Sequence, residues 1–99
     1  MTFRVRYTKA ARDDLRRLYS HLLERDRPAV RRARNKIAKG VELLKEFPFT
    51  CRKASPDSPF LRELVISFGS AGYVLLFEIQ DATTVTTLAV RHQREDDYL

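Results

Sequence analysis

The sequence is poor in the residues that staple small proteins or build cofactor sites. One cysteine, Cys51, stands among 99 residues. It excludes an internal disulfide and leaves no paired-cysteine spacing for a metal. The two histidines, His21 and His92, have no second histidine or cysteine at ligand spacing, so no metal is expected. Three glycines, Gly40, Gly69 and Gly72, are too few and too scattered for a phosphate-cradling loop. No zinc-finger or helix-turn-helix spacing supports base-specific reading of DNA, and no cofactor is implied. No apolar run approaches the roughly 20 residues that cross a bilayer. The opening Met1-Thr2-Phe3-Arg4 lacks the apolar core of a secretory leader. The expectation is a single cytoplasmic domain, residues 1–99, with no membrane contact.

Hydrophobic residues make up 43% of the chain, enough for one core. The net charge of +6 is unevenly distributed. Residues 1–53 carry 16 Lys and Arg against 6 acids, and residues 54–99 carry 3 against 7. Such asymmetry suits an acidic partner, either nucleic acid or an acidic protein segment. The plain alternative is a solvated helix surface.

Phe3 to Tyr7 alternates apolar and basic residues, the period of a half-buried strand. Thr8 is placed to cap a helix over about 9–25. Its apolar stripe is Ala11, Leu15, Leu18 and Leu22, widened by Tyr19, with Arg12, Arg16, Arg17 and Arg25 facing elsewhere. Asp26-Arg27-Pro28 breaks it, and Pro28 suits the first turn of a second helix. Val30, Ala33, Ile37, Val41 and Leu44 form that helix's stripe, and Pro48 stops it. The short link predicts an antiparallel helical hairpin. Residues 48–59, with three prolines and no periodicity, are expected to be a loop. Three strands follow, at Phe60 to Phe68, Tyr73 to Ile79 and Thr84 to Arg91, and short turns make them a meander. Arg62, Leu64, Ile66 and Phe68 fall on one face of the first of these. The order is β-α-α-β-β-β, an α+β fold with the hairpin packed on one face of a mainly antiparallel sheet.

The residues with chemistry in them are few. His21 reads as surface. Arg62, Arg91, His92 and Arg94 fall near the edge of the sheet. A histidine can move protons and arginines can stabilise a developing phosphorane, so a metal-free nuclease is conceivable. It requires several cations converging on one phosphate. The alternative is a rim that is solvated or meets a partner.

With that order in hand, the sequence resembles the RelE/ParE toxin superfamily of bacterial type II toxin–antitoxin systems. The resemblance covers nearly the whole chain. It is carried by the opening FRVRYTKAARDDL, by Arg62-Glu63-Leu64, by GYVLLFEI at 72–79 and by LAVRHQRE at 88–95. RelE-like members cut mRNA on the ribosome; ParE-like members inhibit DNA gyrase. The nuclease branch resembled here places lysines on the second strand, an arginine after the Gly-Tyr pair, and a basic group with a tyrosine in the tail. In this chain Val74 follows Gly72-Tyr73, strand 60–68 has no lysine, and Glu63 would repel a phosphate. Arg94 and Tyr98 are the candidates for the tail pair. A sister branch of ribosome-dependent nucleases uses a C-terminal histidine, to which His92 corresponds only loosely because Gln93 and further residues follow.

The departures favour the ParE-like branch. The resemblance then implies a toxin that inhibits gyrase by protein–protein contact, with Arg91, His92, Arg94 and Arg62 as contact residues. It also implies a cognate antitoxin whose acidic segment folds onto the basic helices, with Arg12, Arg16, Arg31 and Arg34 as the counter-surface, and a hetero-oligomeric complex. Two alternatives stay open. One is a ribosome-dependent endoribonuclease acting on mRNA through Arg62, His92 and Arg94. The other is a non-toxic homologue that only binds an antitoxin.

Overall fold

A computed structural model of the chain describes residues 2–69 and 71–94. The first strand, β1, is Arg4–Tyr7. Thr8 then turns the chain into helix α1, Lys9–Arg25, and its side chain accepts a hydrogen bond from the Ala11 N–H at 3.1 Å. That bond satisfies one of the helix's orphan donors.

Asp26 serves both helices of the hairpin. Its backbone N–H donates to Leu22 O at 2.7 Å and closes α1, while its carboxylate accepts from the Ala29 N–H at 3.3 Å and opens α2, Arg27–Glu46. A one-residue link folds the helices back on each other, as the Asp-Arg-Pro break predicts. Pro28 lies in the first turn of α2, where its missing N–H costs nothing. Phe47 caps the end and Pro48 begins a short 3-10 turn, Pro48–Thr50.

The remaining strands are β2, Arg52–Ser55; β3, Ser58–Phe68; β4, Ala71–Ile79; and β5, Thr84–His92. The sheet order is β1-β5-β4-β3-β2, with β1 parallel to β5 and the other pairs antiparallel. The expected α+β arrangement is therefore present, with the two helices against a five-stranded sheet.

One expectation is corrected. Residues 48–59 are not a loop throughout: they hold the 3-10 turn and the edge strand β2, which pairs with β3 through Arg52↔Glu63 and Lys53↔Arg62. The four-residue strand Arg-Lys-Ala-Ser has no apolar alternation because it covers no core. Short, charged edge strands of this kind resist pairing with other chains, and they leave little signal in a sequence.

The core lies between the hairpin and one face of the sheet. Leu18, Ala33, Ile37 and Leu44 from the helices meet Leu64, Ile66, Tyr73, Leu75, Phe77, Val85 and Val90 from the sheet. Gly40 marks the closest approach. A Cβ there would stand 2.8 Å from Ile66 Cδ1 and 3.0 Å from Leu64 Cδ2, so the helix that glycine weakens is also the helix it lets sit down on β3.

Strand β5 carries a bulge. Leu76 pairs with Ala89 and Phe77 with Thr87, which leaves Leu88 extra. The start of α1 is tied to this irregularity. Thr8 Oγ1 donates to Leu88 O at 3.2 Å, the Thr8 N–H donates to Thr87 O at 3.0 Å, and the Val90 N–H donates to the Asp14 carboxylate at 2.9 Å.

Candidate functional site

The sheet register decides where each candidate side chain goes. Arg91 pairs with Val74 and His92 pairs with Tyr73. Consecutive strand residues point to opposite faces. Tyr73 shares its face with Ile66, under the helices, so His92 projects to the helix side and Arg91 to the open side. The two neighbours that the sequence groups together are on opposite sides of the sheet.

Arg62 is in a third place. It pairs with Phe77, four positions along β4 from Tyr73, so it sits about 13 Å along the strand from His92. Its Nε donates to Pro59 O at 2.7 Å, and its Nη1 donates to Cys51 O at 2.8 Å and Phe49 O at 3.2 Å. The guanidinium also lies over the Phe49 ring, 5.5 Å from its centroid, and Phe49 meets Phe60 edge-on at 6.2 Å. This arginine holds the 3-10 turn, the start of β2 and the start of β3 together. The group Arg62, His92 and Arg94 is not assembled at one point.

His92 and Arg94 do come together, and they meet residues that the sequence reading left on the surface. Both line a groove of about 690 Å³ between the second half of α1 and the ends of β3, β4 and β5. From α1 come Arg17, His21 and Arg25, with Leu18 and Leu22 between them; Phe68 and Tyr73 complete the floor. The His92 ring stands edge-on against Tyr73 at 5.8 Å, and its Nδ1 accepts the Arg94 N–H at 3.2 Å. Tyr73 in turn stacks on Phe68 at 5.7 Å. Burial pushes the Tyr73 phenol above its ordinary value, so it is neutral at physiological pH and serves as wall rather than charge. The groove thus combines an apolar floor with a rim of three arginines and two histidines. No carboxylate lines it among the described residues.

The spacing of Arg17, His21 and Arg25, four residues apart, is visible in the sequence as one line along a helix. What joins that line to His92 and Arg94 is the packing of α1 on β5, which no local pattern reports.

The open face has a different character. It carries Val65, Ser67 and Leu76, placed there with Arg91, Val74 and Ala89 by their pairing along β3, β4 and β5; Val74 and Ala89 are themselves buried. Glu63, on the same face, is held by Arg52 at 3.0 Å. The basic helical positions Arg12, Arg16, Arg31 and Arg34 are all exposed. Arg16 reaches Asp13 at 3.5 Å, and Arg34 lies over the Tyr19 ring at 5.3 Å, which bridges the two helices. Among the described residues no three His, Cys, Asp or Glu side chains cluster to hold a metal ion. Tyr98 and the acidic run Glu95-Asp96-Asp97 lie outside the described residues.

Comparisons with known proteins agree with this architecture. The solved structure of the chromosomal ParDE toxin–antitoxin system from P. aeruginosa matches 96% of this chain and 98% of its own, with a TM-score of 0.70 and 19% identity, a likeness of fold. No curated protein matches significantly in sequence. The family model for the ParE toxin of the type II toxin–antitoxin system, parDE, matches residues 5–97. The chain belongs to the ParE toxin family of type II toxin–antitoxin systems.

Proposed function

We propose that this toxin inhibits DNA gyrase by protein–protein contact, without cleaving nucleic acid, and is neutralised by a cognate antitoxin. The observation that supports this reading is the open face of the sheet. Where the RelE-type resemblance would require lysines on β3 and an arginine after Gly72-Tyr73, those positions hold Val65, Ser67 and the buried Val74, and the nearby Glu63 is paired with Arg52. A phosphodiester transition state there would lack the cationic field that stabilises it. The dispersal of Arg62, Arg91 and His92 over three separate places argues the same way.

On this reading Arg91, on the open face, and His92 with Arg94, at the end of β5, make the target contact. Arg62 stands apart from that contact and fixes the Phe49 and Phe60 corner. The antitoxin covers the exposed arginines of the hairpin with an acidic segment that orders on binding.

Purified toxin added to a gyrase supercoiling reaction tests this directly. Inhibition is expected, and pre-incubation with the antitoxin encoded beside the toxin should relieve it. An unaffected reaction, together with normal growth of cells expressing the chain alone, would instead identify a non-toxic homologue.

A further inference from the structure

Arg62 makes four interactions in support of two phenylalanines that stand half in solvent. Its hydrogen bonds to Pro59 O, Cys51 O and Phe49 O, with its stacking over the Phe49 ring, fix the edge-on Phe49–Phe60 pair. Yet these rings are 51% and 52% exposed. Phe60 lies on the helix side of β3, with Arg62, Leu64 and Ile66. The helical layer stops short of it. Helix α2 ends at Glu46, and no residue of α1 or α2 lines the hollow of about 400 Å³ that Phe49 and Phe60 form with Ile79, Gln80, Asp81 and Ala82. An apolar hollow with rigid aromatic walls suits a contact, because an anchor that is already ordered loses little freedom on binding.

The charges around this hollow differ in sign from side to side. On the side of the β4–β5 turn stands Asp81, whose carboxylate accepts from the Thr83 N–H at 2.8 Å and the Thr83 hydroxyl at 3.1 Å. The backbone hydrogen bond chiefly holds its carboxyl below the ordinary range. On the other side, across β3, is the edge strand β2 with the exposed Lys53, which pairs with Arg62 and shares its face. We propose that this corner joins two copies of the chain about a twofold axis, with Phe60 of each copy packed into the hollow of the other and Lys53 of each set against Asp81 of the other. A patch with an anion on one side and a cation on the other complements itself under a half-turn, and that is what an isologous contact requires. An acidic antitoxin segment fits less well, since it would bring negative charge to Asp81, the one charged residue lining the hollow among the described residues. The patch is small, so the dimer is a weak one. It lies at the opposite end of the strands from Arg91, His92 and Arg94, and the inference holds whatever the toxin inhibits.

Sedimentation equilibrium of the full chain, from about 1 to about 300 µM, tests the proposal. The average mass should rise from one chain toward two across that range. Phe60→Ser should weaken association about tenfold. Lys53→Glu and Asp81→Lys each set like charges against one another and should each weaken it. A mixture of these two proteins should associate better than either alone, because every charge contact across the axis then joins opposite signs. Lys39→Glu, the same charge change at an exposed position of α2, should alter association less than twofold. Should Phe60→Ser fail to fold, the two charge variants and their mixture decide. One chain's mass at every concentration, association untouched by Phe60→Ser, or no recovery on mixing would overturn the proposal. So would a monomeric wild type whose antitoxin affinity or gyrase inhibition falls with Phe60→Ser, which would assign the corner to that partner.

Discussion

Arg62 donates to three backbone carbonyls, at Phe49, Cys51 and Pro59, and that geometry predicts what its loss does. Arg62→Met keeps much of the side chain's length but leaves those carbonyls to water. Urea unfolding should show a loss of about 2 kcal/mol, since hydrogen bonds from a charged donor are worth more than neutral ones. Gyrase inhibition per folded molecule should be retained; its disappearance at unchanged stability would make Arg62 a contact residue instead. Burial sets a second residue-scale expectation. Cys51 is buried, and its thiol is pushed above the ordinary 9.0, chiefly by desolvation. The phenols of Tyr7, Tyr19 and Tyr73 are likewise pushed above 10.0 by burial. For each of these groups the unfolded chain loses its proton first. The stability they contribute is therefore complete below the ordinary values and is lost as pH rises through the folded ones. Unfolding free energy measured against pH should bend downward from about pH 9, and Cys51→Ala should remove the earliest part of the bend. None of this could be read from the sequence, where Cys51 is an isolated thiol and Arg62 is one more arginine near an edge.

At the scale of elements, legibility followed the strength of the local signal. Thr8, the Asp26-Arg27-Pro28 break and Pro48 bound the helices where chain chemistry allows no other reading, and α1 and α2 begin and end close to those marks. Alternation located β3, β4 and β5 for the same reason. Strand β2 escaped because it pairs with β3 at the edge of the sheet and its four residues, Arg-Lys-Ala-Ser, carry no apolar alternation. The tie between α1 and β5 escaped too, since it joins residues 76 positions apart. Asp14 is its centre. Asp14→Ala should leave the Val90 N–H at the bulge without its acceptor and cost about 2 kcal/mol in urea unfolding, while Asp14→Asn, which keeps an acceptor oxygen, should recover part of that loss. An equal loss for both variants would place the effect in the negative charge rather than in the hydrogen bond. The candidate site divides along the same line. His92 and Arg94 were singled out from sequence, whereas Arg17, His21 and Arg25 were recognisable as a helical line without any sign of what they face.

For the whole molecule, the excess of cations in residues 1–53 becomes two helices whose outer surfaces are basic. An acidic antitoxin segment laid on them should bind with a marked salt dependence, because exposed charge pairs weaken as the Debye length shortens. Charge reversal at Arg12, Arg16, Arg31 and Arg34 together should lower antitoxin affinity at least tenfold at low salt and flatten that dependence; an unchanged affinity would move the antitoxin to the sheet. The proposed function rests on the sheet face away from the helices, where Arg91 stands among Val65, Ser67, Leu76 and Ala89 rather than among the several cations that phosphodiester cleavage needs. The most direct measurement combines two readouts on one preparation of toxin: plasmid supercoiling by gyrase, and the 5′ ends of a labelled transcript in a translating extract. The account predicts that supercoiling stops while the transcript stays whole. Cuts in the transcript that vanish with His92→Ala, with supercoiling undisturbed, would contradict it.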